Sequence, residues 1–222
     1  MNIPQGAQEY LEAIFEMEEE GGPIAQARIA KRLGVSRATV SEYIKRLERE
    51  KFIDLDGRHI ALNSTGRDVA TPLVRRHRLA ERLLTDILEI PWHRAHEMAH
   101  DWEHIMTPEV EDKILTKTGS TTCPHGNPIP GQKPPYDRAK LIPLTDLGDK
   151  NTGTLCLLTE DVELVTDVLR YFEEHGLMPG ASIKVASVAP DGTLMLEVDG
   201  KPASLGASLA DNVWVMPGGS GA

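Results

Sequence analysis

Three histidines and a glutamate recur at helical spacing between residues 96 and 104. His96, His100, Glu103 and His104 occupy positions i, i+4, i+7 and i+8, and 3.6 residues per turn would bring all four onto one face of a helix. Imidazole and carboxylate groups arranged in this way can bind a divalent metal. A lone histidine on a helix is more often structural, so the pattern needs support from neighbouring elements.

That support comes from the preceding helical segment, residues 74–84, where His77 and Glu81 are also four residues apart. On a solvated surface such a pair is worth only about 0.2–0.5 kcal/mol. Six donors on two neighbouring helices nevertheless favour a metal site. Two glutamate pairs spaced i, i+3 have a simpler explanation as solvated charges: Glu9 with Glu12, and Glu160 with Glu163.

Composition limits the class of protein. The chain has 222 residues and is 40% hydrophobic, which is enough for one large or two to three small domains. It has no apolar run near 18 residues, and its first residues lack the features of a signal peptide, so we expect a cytoplasmic protein without a membrane span. Cys123 and Cys156 are far apart, so a disulfide framework is not expected. The metal hypothesis therefore depends on histidine and carboxylate.

Charge is distributed unevenly. The net charge is -10, yet residues 21–70 hold ten Lys or Arg against six acids. A helix over residues 25–33 ended by Gly34, followed by a helix Arg37–Glu50 capped by Ser36, predicts a helix-turn-helix. An alternating segment around Asp56-Gly57 predicts a hairpin, and the two together form a winged helix.

The basic block predicts DNA binding through its exposed face. A helical subdomain that binds protein is the alternative, and a steep dependence of binding on salt would separate the two. The candidate DNA contacts are short polar groups, cations and one acid on the reading helix and the wing: Arg28, Ser36, Arg37, Thr39, Glu42, Tyr43, Arg46 and Arg58.

The remaining chain predicts two further domains. Residues 71–118 are expected to form a helical bundle that supplies a dimer surface. A proline-rich stretch, residues 124–143, predicts a linker or an extended ligand for another domain. From residue 154, short strands and one helix over 163–175 predict a small β-barrel. The expected fold is multidomain and mainly α, with domains 1–70, 71–140 and 141–222.

These motifs together resemble the diphtheria toxin repressor family, with its iron-dependent and manganese-transport branches. The similar segments are residues 74–84, 96–107, Gly126-Asn127-Pro128-Ile129-Pro130-Gly131, Glu9-Tyr10-Leu11-Glu12 and Gly176-Leu177-Met178-Pro179-Gly180. The resemblance implies a dimeric repressor that binds palindromic double-stranded operator DNA with a divalent metal as co-repressor. It also implies that the C-terminal module is SH3-like (FeoA-like), and leaves open whether this module senses metal or binds the proline-rich stretch.

The resemblance implies two metal sites. The primary ligands would be Glu9, His100, Glu103 and His104, and the ancillary ligands would be His77, Glu81, His96, Glu160 and Glu163. The manganese branch offers another grouping, in which Glu12 and His77 join the primary ligands around a pair of ions. Spacing does not decide between these groupings.

Two positions differ from the iron-sensing branch, which has methionine in place of Glu9 and cysteine in place of His100. Carboxylate and imidazole are harder donors than thioether and thiolate, so Mn(II) is favoured as co-repressor and Fe(II) is the alternative. A metal shared by Glu9 and the bundle ligands would fix the DNA-binding domain against the dimer, with the recognition helices about one DNA turn apart.

Two other functions stay open. In a metal-dependent hydrolase, Glu103 would activate a metal-bound water, but the chain has a winged helix and lacks a glycine-rich phosphate loop, so we do not expect an enzyme. In a regulator that senses an organic ligand, the histidines would be structural, and a chelator would leave DNA binding unchanged.

Overall fold

The chain divides into two compact units, Met1–Arg76 and His77–Ala222, in a computed structural model that describes residues 3–57, 59–149 and 151–218. Helix α4 runs from Ser64 to Arg82 and spans the boundary. The predicted domain boundaries at residues 70 and 140 stay predictions. No helix in the described ranges is both long and apolar enough to cross a membrane.

The first unit contains the predicted helix-turn-helix and wing. Its elements before α4 are three helices and a two-stranded antiparallel hairpin: α1 (Gln5–Glu20), α2 (Gln26–Arg32), α3 (Arg37–Arg49), β1 (Ile53–Asp56) and β2 (His59–Leu62). Gly34 has φ +63° in the turn between α2 and α3. Ser36 caps α3, because its Oγ accepts a hydrogen bond from the amide of Thr39 at 3.1 Å.

Apolar residues at helical spacing hold the first unit together. Leu11, Ile14, Ile29, Val40 and Ile44 are almost completely buried in one cluster. Tyr10 of α1 and Tyr43 of α3 stack in parallel within this unit, with ring centroids 4.4 Å apart. Recognition helix α3 is therefore packed directly on α1.

The second unit begins with helices. The last part of α4 is followed by one π-helical turn (Leu83–Ile87), then α5 (Trp92–Glu103) and α6 (Pro108–Thr118). Leu79, Leu84, Ala95 and Ile114 form their common core. This places the histidine-rich stretch on a helix that packs beside the end of α4, as the spacing predicts.

The C-terminal strands form an open sheet and not the closed barrel that the sequence predicts. The six antiparallel strands are β3 (Ile142–Pro143), β4 (Thr152–Leu158), β5 (Ser182–Val188), β6 (Leu194–Val198), β7 (Lys201–Leu205) and β8 (Val213–Pro217). Their order is β3-β8-β4-β5-β6-β7, and among the residues described the two end strands do not pair with each other. The sequence analysis missed β7, since Pro202 is unusual in a strand; it is accommodated at the sheet edge.

The predicted helix over residues 163–175 is split in two. A single turn, α7 (Glu160–Glu163), precedes α8 (Thr166–Glu174), and a further turn, α9 (Ala207–Ala210), comes before β8. Val165 leaves helical geometry between α7 and α8, with φ -117° and ψ 89°. The break gives Glu160 and Glu163 a short element of their own.

The beginning of the proline-rich stretch, residues 125–127, lies against strand β4. The amide of Leu158 donates to the carbonyl of His125 at 3.0 Å. A Cβ on Gly126 would lie 2.1 Å from the carbonyl oxygen of Cys156, so glycine alone fits this approach. Of the two interpretations offered by the sequence, the structure favours the bound segment over a free linker.

Candidate functional site

Six of the predicted metal ligands are buried together in the second unit. They lie on the end of α4, on α5 and on α7: His77, Glu81, His96, Glu103, Glu160 and Glu163, each at most 5% exposed. His125 is buried beside them, so three histidines and four carboxylates share one interior. Charged groups are rarely buried this deeply unless they are paired or bind a metal.

His96 is at the centre of this cluster. Its Nδ1 atom lies 3.2 Å from Nε2 of His77, 3.1 Å from Oε1 of Glu81 and 3.3 Å from Oε2 of Glu163. Glu160 Oε2 is slightly farther from the same nitrogen, at 3.9 Å. The five residues of the predicted ancillary site therefore come together around one imidazole.

Glu103 lies at the other side of His77. Its Oε2 atom is 2.7 Å from His77 Nδ1 and 3.7 Å from His100 Nδ1, and its Oε1 atom is 3.3 Å from His104 Nε2. Glu103 is buried, whereas His100 and His104 are exposed. Three predicted primary ligands thus meet around one carboxylate at the rim of the cluster.

A second donor set includes residues that the sequence analysis missed. Potential ligand atoms of Glu81, Cys123, His125 and Glu163 all lie within 4.8 Å of one another, and all four residues are buried. His125 Nδ1 is 3.2 Å from Glu81 Oε1 and 2.9 Å from Glu163 Oε2. The cysteine adds a thiol to a site that was expected to contain only imidazole and carboxylate.

Two further side chains position the carboxylates. The amide of Asn127 donates to Glu163 Oε1 at 2.7 Å and to the carbonyl of Leu158 at 2.9 Å. The guanidinium of Arg78 donates to Glu160 Oε1 at 3.2 Å and to the carbonyl of Pro128 at 2.5 Å. These contacts fix carboxylate orientation, a role typical of groups that surround metal ligands.

Several buried polar atoms of the cluster have no hydrogen-bond partner in the described structure. They are His96 Nε2, both ring nitrogens of His125 and Glu81 Oε2. Nδ1 of His125 lies near two carboxylates without the angles that a hydrogen bond requires. Buried unsatisfied polar atoms are costly, and their concentration here fits a site completed by a divalent cation.

The pKa values of the histidines reflect the same surplus of negative charge. Burial disfavours protonation of His96, but contacts with Glu163 and Glu81 outweigh it and raise the pKa to about 9. Burial also opposes protonation of His125, yet the charges of the same two carboxylates raise its pKa well above the usual range. Without metal, protons on these imidazoles offset part of the negative charge.

The pKa values of two buried carboxyl groups shift in opposite directions, and that of the buried thiol rises. Burial works against ionisation of Glu103, but contacts with His100 and His77 lower its pKa to about 2. Burial, reinforced by the charge of Glu163, raises the pKa of Glu160 to about 7. Burial and the Glu81 charge also raise the pKa of the Cys123 thiol to about 12. The thiol is therefore protonated at neutral pH without metal.

The two predicted ligands of the first unit lie on α1, where Glu9 is exposed and Glu12 is buried. Their part in metal binding stays a prediction. Residues 96–100 also fit the H-E-x-x-H pattern of zinc metalloproteases. Glu97, the base in such an enzyme, is exposed and lies outside the cluster.

The predicted DNA contacts differ in how far their side chains are already engaged. Arg28 pairs with Glu20 and donates to the carbonyl of Gly21 at 3.3 Å, so part of the basic block is neutralised by α1. Arg46 donates to Glu50 at 2.9 Å on the surface of α3. Arg58 lies outside the described residues.

The other predicted contacts are on α3. The hydroxyls of Ser36 and Thr39 are 2.8 Å apart at its N-terminus. Tyr43 is half-buried against Tyr10, whereas Glu42 is exposed.

A cleft of about 420 Å³ separates the helix-turn-helix from the wing in the first unit. Gln26 and Arg37 lie on its helical side, and Leu55 and Gly57 lie on the wing. A recognition helix and a wing that flank such a groove can both reach a DNA backbone.

The two potential metal donors that spacing did not reveal have a signal in the sequence. Cys123 and His125 are separated by one residue in Cys123-Pro124-His125-Gly126, which places two strong metal donors in a rigid turn. The wide separation of the two cysteines argues against a metal site only when the histidine beside Cys123 is left out of account. The position of Asn127 depends on how the segment lies on β4, which spacing does not reveal.

Comparison with family models assigns the three parts of the chain. The model described as "Iron dependent repressor, N-terminal DNA binding domain" matches residues 4–59. "Iron dependent repressor, metal binding and dimerisation domain" matches residues 63–131, and the FeoA domain matches residues 142–217.

Curated relatives match most of the chain. The iron-dependent repressor IdeR of Mycobacterium tuberculosis is 38% identical over 202 residues, covering 86% of this chain and 87% of the relative. The diphtheria toxin repressor of Corynebacterium diphtheriae is 34% identical over 213 residues, covering 92% and 93%.

Solved structures share the fold. A manganese-dependent transcriptional repressor in complex with manganese has a TM-score of 0.82 and 30% identity, covering 95% of this chain and 99% of that chain. The crystal structure of T. acidophilum IdeR has a TM-score of 0.79 and 29% identity, covering 98% and 100%. With these matches along nearly its full length, the chain belongs to the iron-dependent repressor family, which includes IdeR and the diphtheria toxin repressor and consists of transcriptional repressors rather than enzymes.

Proposed function

We propose that the chain is a metal-dependent repressor that binds Mn(II) or Fe(II) in the buried cluster of its second unit and operator DNA through its winged helix. The observation that carries this proposal is the group of buried imidazole and carboxylate atoms without hydrogen-bond partners. Similarity to an iron-dependent repressor and to a manganese-dependent repressor supports it.

The donor types divide the cluster into two parts. Around Glu103, the available atoms are imidazole nitrogens and carboxylate oxygens, a set that suits Mn(II) and Fe(II). The set with Cys123 contains a thiol and suits softer ions such as Zn(II), or Fe(II), better than Mn(II). We therefore assign the co-repressor to the Glu103 part, with His77, His100 and His104 as its partners in this unit.

A bound divalent cation would supply positive charge to the carboxylates and accept the unpaired imidazole lone pairs. In the part of the cluster around His96 and His125, metal binding would require these imidazoles to release protons first, because both are protonated at neutral pH when no metal is bound. Asn127 and Arg78 keep Glu163 and Glu160 oriented during this exchange. Glu9 and Glu12 are proposed as further ligands on the resemblance alone.

Metal and operator are proposed to stabilise one conformation of a cytoplasmic homodimer. By linkage, operator then tightens metal binding by the same factor as metal tightens operator binding, typically about 1–3 kcal/mol. The helical domain is the proposed dimer surface, in agreement with the description of the family model that matches residues 63–131.

The test is a mobility shift with the DNA upstream of the chain's own gene, in Mn(II), Fe(II), Zn(II) or chelator. We expect Mn(II) and Fe(II) to strengthen binding and chelator to reverse it. Glu103→Ala and His104→Ala should abolish the metal effect, because Glu103 contacts His77, His100 and His104.

Glu97→Ala is the matched control, as Glu97 lies on the same helix but is exposed and outside the cluster. Metal-stimulated binding that survives Glu103→Ala and His104→Ala would show that the co-repressor binds elsewhere. Binding that ignores chelator would favour a regulator that senses an organic ligand.

A further inference from the structure

One acidic side chain lies within the basic surface of recognition helix α3. Arg37, Lys45 and Arg46 are cations on this helix, and Glu42 is the one acid between the first and the last of them. Glu42 is exposed. A carboxylate in this position is repelled by DNA phosphates, so its presence on a DNA-reading helix requires a specific explanation.

Glu42 has no intramolecular role in the part of the chain that the structure describes. No hydrogen bond or ion pair joins its side chain to any residue of residues 3–57, 59–149 or 151–218, although Lys45 and Arg46 are three and four positions away. Arg46 instead donates to Glu50 at 2.9 Å. The carboxylate is therefore free to accept hydrogen bonds from a ligand.

Its neighbours on the helix are already engaged. The hydroxyls of Ser36 and Thr39 bond to each other, Ser36 also accepts from the Thr39 amide as the helix cap, and Tyr43 stacks on Tyr10. Of the predicted contacts on α3, Arg37 and Glu42 have no such side-chain partner among the residues that the structure describes. Arg37 lines the cleft beside the wing and suits a phosphate, which leaves Glu42 to contact bases.

A carboxylate can only accept hydrogen bonds, and the major groove offers two donors, the N4 amino group of cytosine and the N6 amino group of adenine. In adenine the donor lies beside the acceptor N7, which repels a second acceptor. In cytosine its neighbour is a carbon–hydrogen group, so cytosine is the better partner for a carboxylate.

We propose that Glu42 is a specificity-determining residue that accepts a hydrogen bond from the N4 amino group of a cytosine in each operator half-site. The inference rests on the proposed function, because it requires α3 to enter the major groove. It adds the identity of one base to that proposal.

The experiment selects bound sequences from a pool of random DNA, using the full chain loaded with Mn(II). Wild type should select a site with cytosine at one position of each half-site. Glu42→Gln should change that position to adenine, because a carboxamide offers both the donor and the acceptor that match adenine N7 and N6. Glu42→Ala should lose the preference for cytosine by about tenfold.

Glu48→Gln is the matched control, since it removes the same charge from an exposed position of the same helix. Both glutamine variants should bind all DNA somewhat more tightly, so the base preference and not the affinity is the decisive measurement. If Glu42→Gln selects the wild-type sequence, Glu42 does not read a base. If wild type selects no sequence with any metal, the proposed function fails, and this inference fails with it.

Discussion

In the first unit, the buried guanidinium of Arg32 lies 3.3 Å from Glu16 and 2.8 Å from Glu20, so its charge is matched by carboxylates of α1. In the second unit, Arg78 is the one buried arginine among the residues that the structure describes, and it contacts one of the four carboxylates of the cluster, Glu160. The first network is complete by itself, whereas the second contains a surplus of negative charge and unpaired ring nitrogens. This difference shows which buried charges hold the fold together and which are kept for a ligand.

The largest expected effect breaks the first network. Arg32→Met should destabilise the first unit by about 3 kcal/mol, because it removes the buried cation from Glu16 and leaves Glu20 with the more exposed Arg28 alone. The measurement is urea unfolding of the full chain, monitored by circular dichroism. The quantity compared is the urea concentration at the midpoint of each unfolding transition. The comparison fails if Arg32→Met unfolds at the same urea concentration as wild type.

Arg46→Met is the control for that experiment. Arg46 also pairs with a glutamate, Glu50, but both side chains are more than one-third exposed, at 38% and 34%. An exposed i, i+4 pair contributes little to stability, because solvent screens its charges. The control should therefore change the midpoint little.

A smaller expected effect is the change of metal affinity with pH, which tests the surplus negative charge of the second unit. The pKa of His96 is raised to about 9, so in the metal-free protein its proton is bound at pH 7 and is lost as pH rises through 9. A raised pKa stabilises the metal-free fold below the ordinary value of 6.5, and this contribution disappears toward pH 9. An ion bound by His96 must displace this proton, so the apparent affinity for that ion should rise about tenfold per pH unit between pH 7 and 8.5, whereas an ion bound only at the Glu103 part does not depend on it.

Calorimetric titration of Mn(II) without oxygen, in buffers with different heats of ionisation, counts the protons released. We expect at least one proton per bound ion at pH 7. An affinity that is flat across this range would mean that His96 is not a ligand, or that its proton stays in place.

The sequence predicted the elements of the first unit well because each has a local cause. Ser36 provides the cap of α3, Gly34 the turn before it, and Asp56-Gly57 the hairpin. These signals depend on residues close together in the chain. They survive folding unchanged, so a pattern of spacing is sufficient to find them.

The site in the second unit was predicted in part, for a related reason. Helical spacing found His77, Glu81, His96 and Glu103, since they lie on two neighbouring helices. It missed His125, which reaches the cluster because the segment around Gly126 lies against β4. Contacts between segments far apart in the chain are fixed by packing, and spacing within one segment carries no information about them.

The open sheet was missed for the same cause. The predicted barrel requires the two outer strands to pair, and β7, which forms one edge, was not found in the sequence. Pro202 in that strand lacks an amide donor, which suits an edge and weakens the strand signal.

The smallest expected effect concerns Glu173, a carboxylate of the second unit that lies outside the cluster. Its oxygens accept hydrogen bonds from neighbouring groups, as the glutamates of the first unit do. Glu173 of α8 accepts from the amides of Trp92 and His93 at 3.2 Å and 3.4 Å, and its Oε2 lies 2.5 Å from His93 Nδ1. It thus caps the N-terminus of α5, while the Trp92 side chain packs into the core of the sheet domain. Glu173 resembles the glutamates of the first unit in function and should behave as they do.

Glu173→Gln should destabilise the second unit by about 1 kcal/mol, the usual value of a helix cap, without changing metal affinity. Glu174→Gln is the control, as Glu174 is exposed on the same helix. Burial opposes ionisation of Glu173, but the contact with His93 lowers its pKa, so its contribution is present above the ordinary carboxyl pKa and is lost as pH falls. Urea midpoints and Mn(II) affinity are measured on the same samples. A fall in metal affinity with unchanged stability would place Glu173 among the carboxylates that bind the ion, because a helix cap contributes to stability and a metal ligand to affinity.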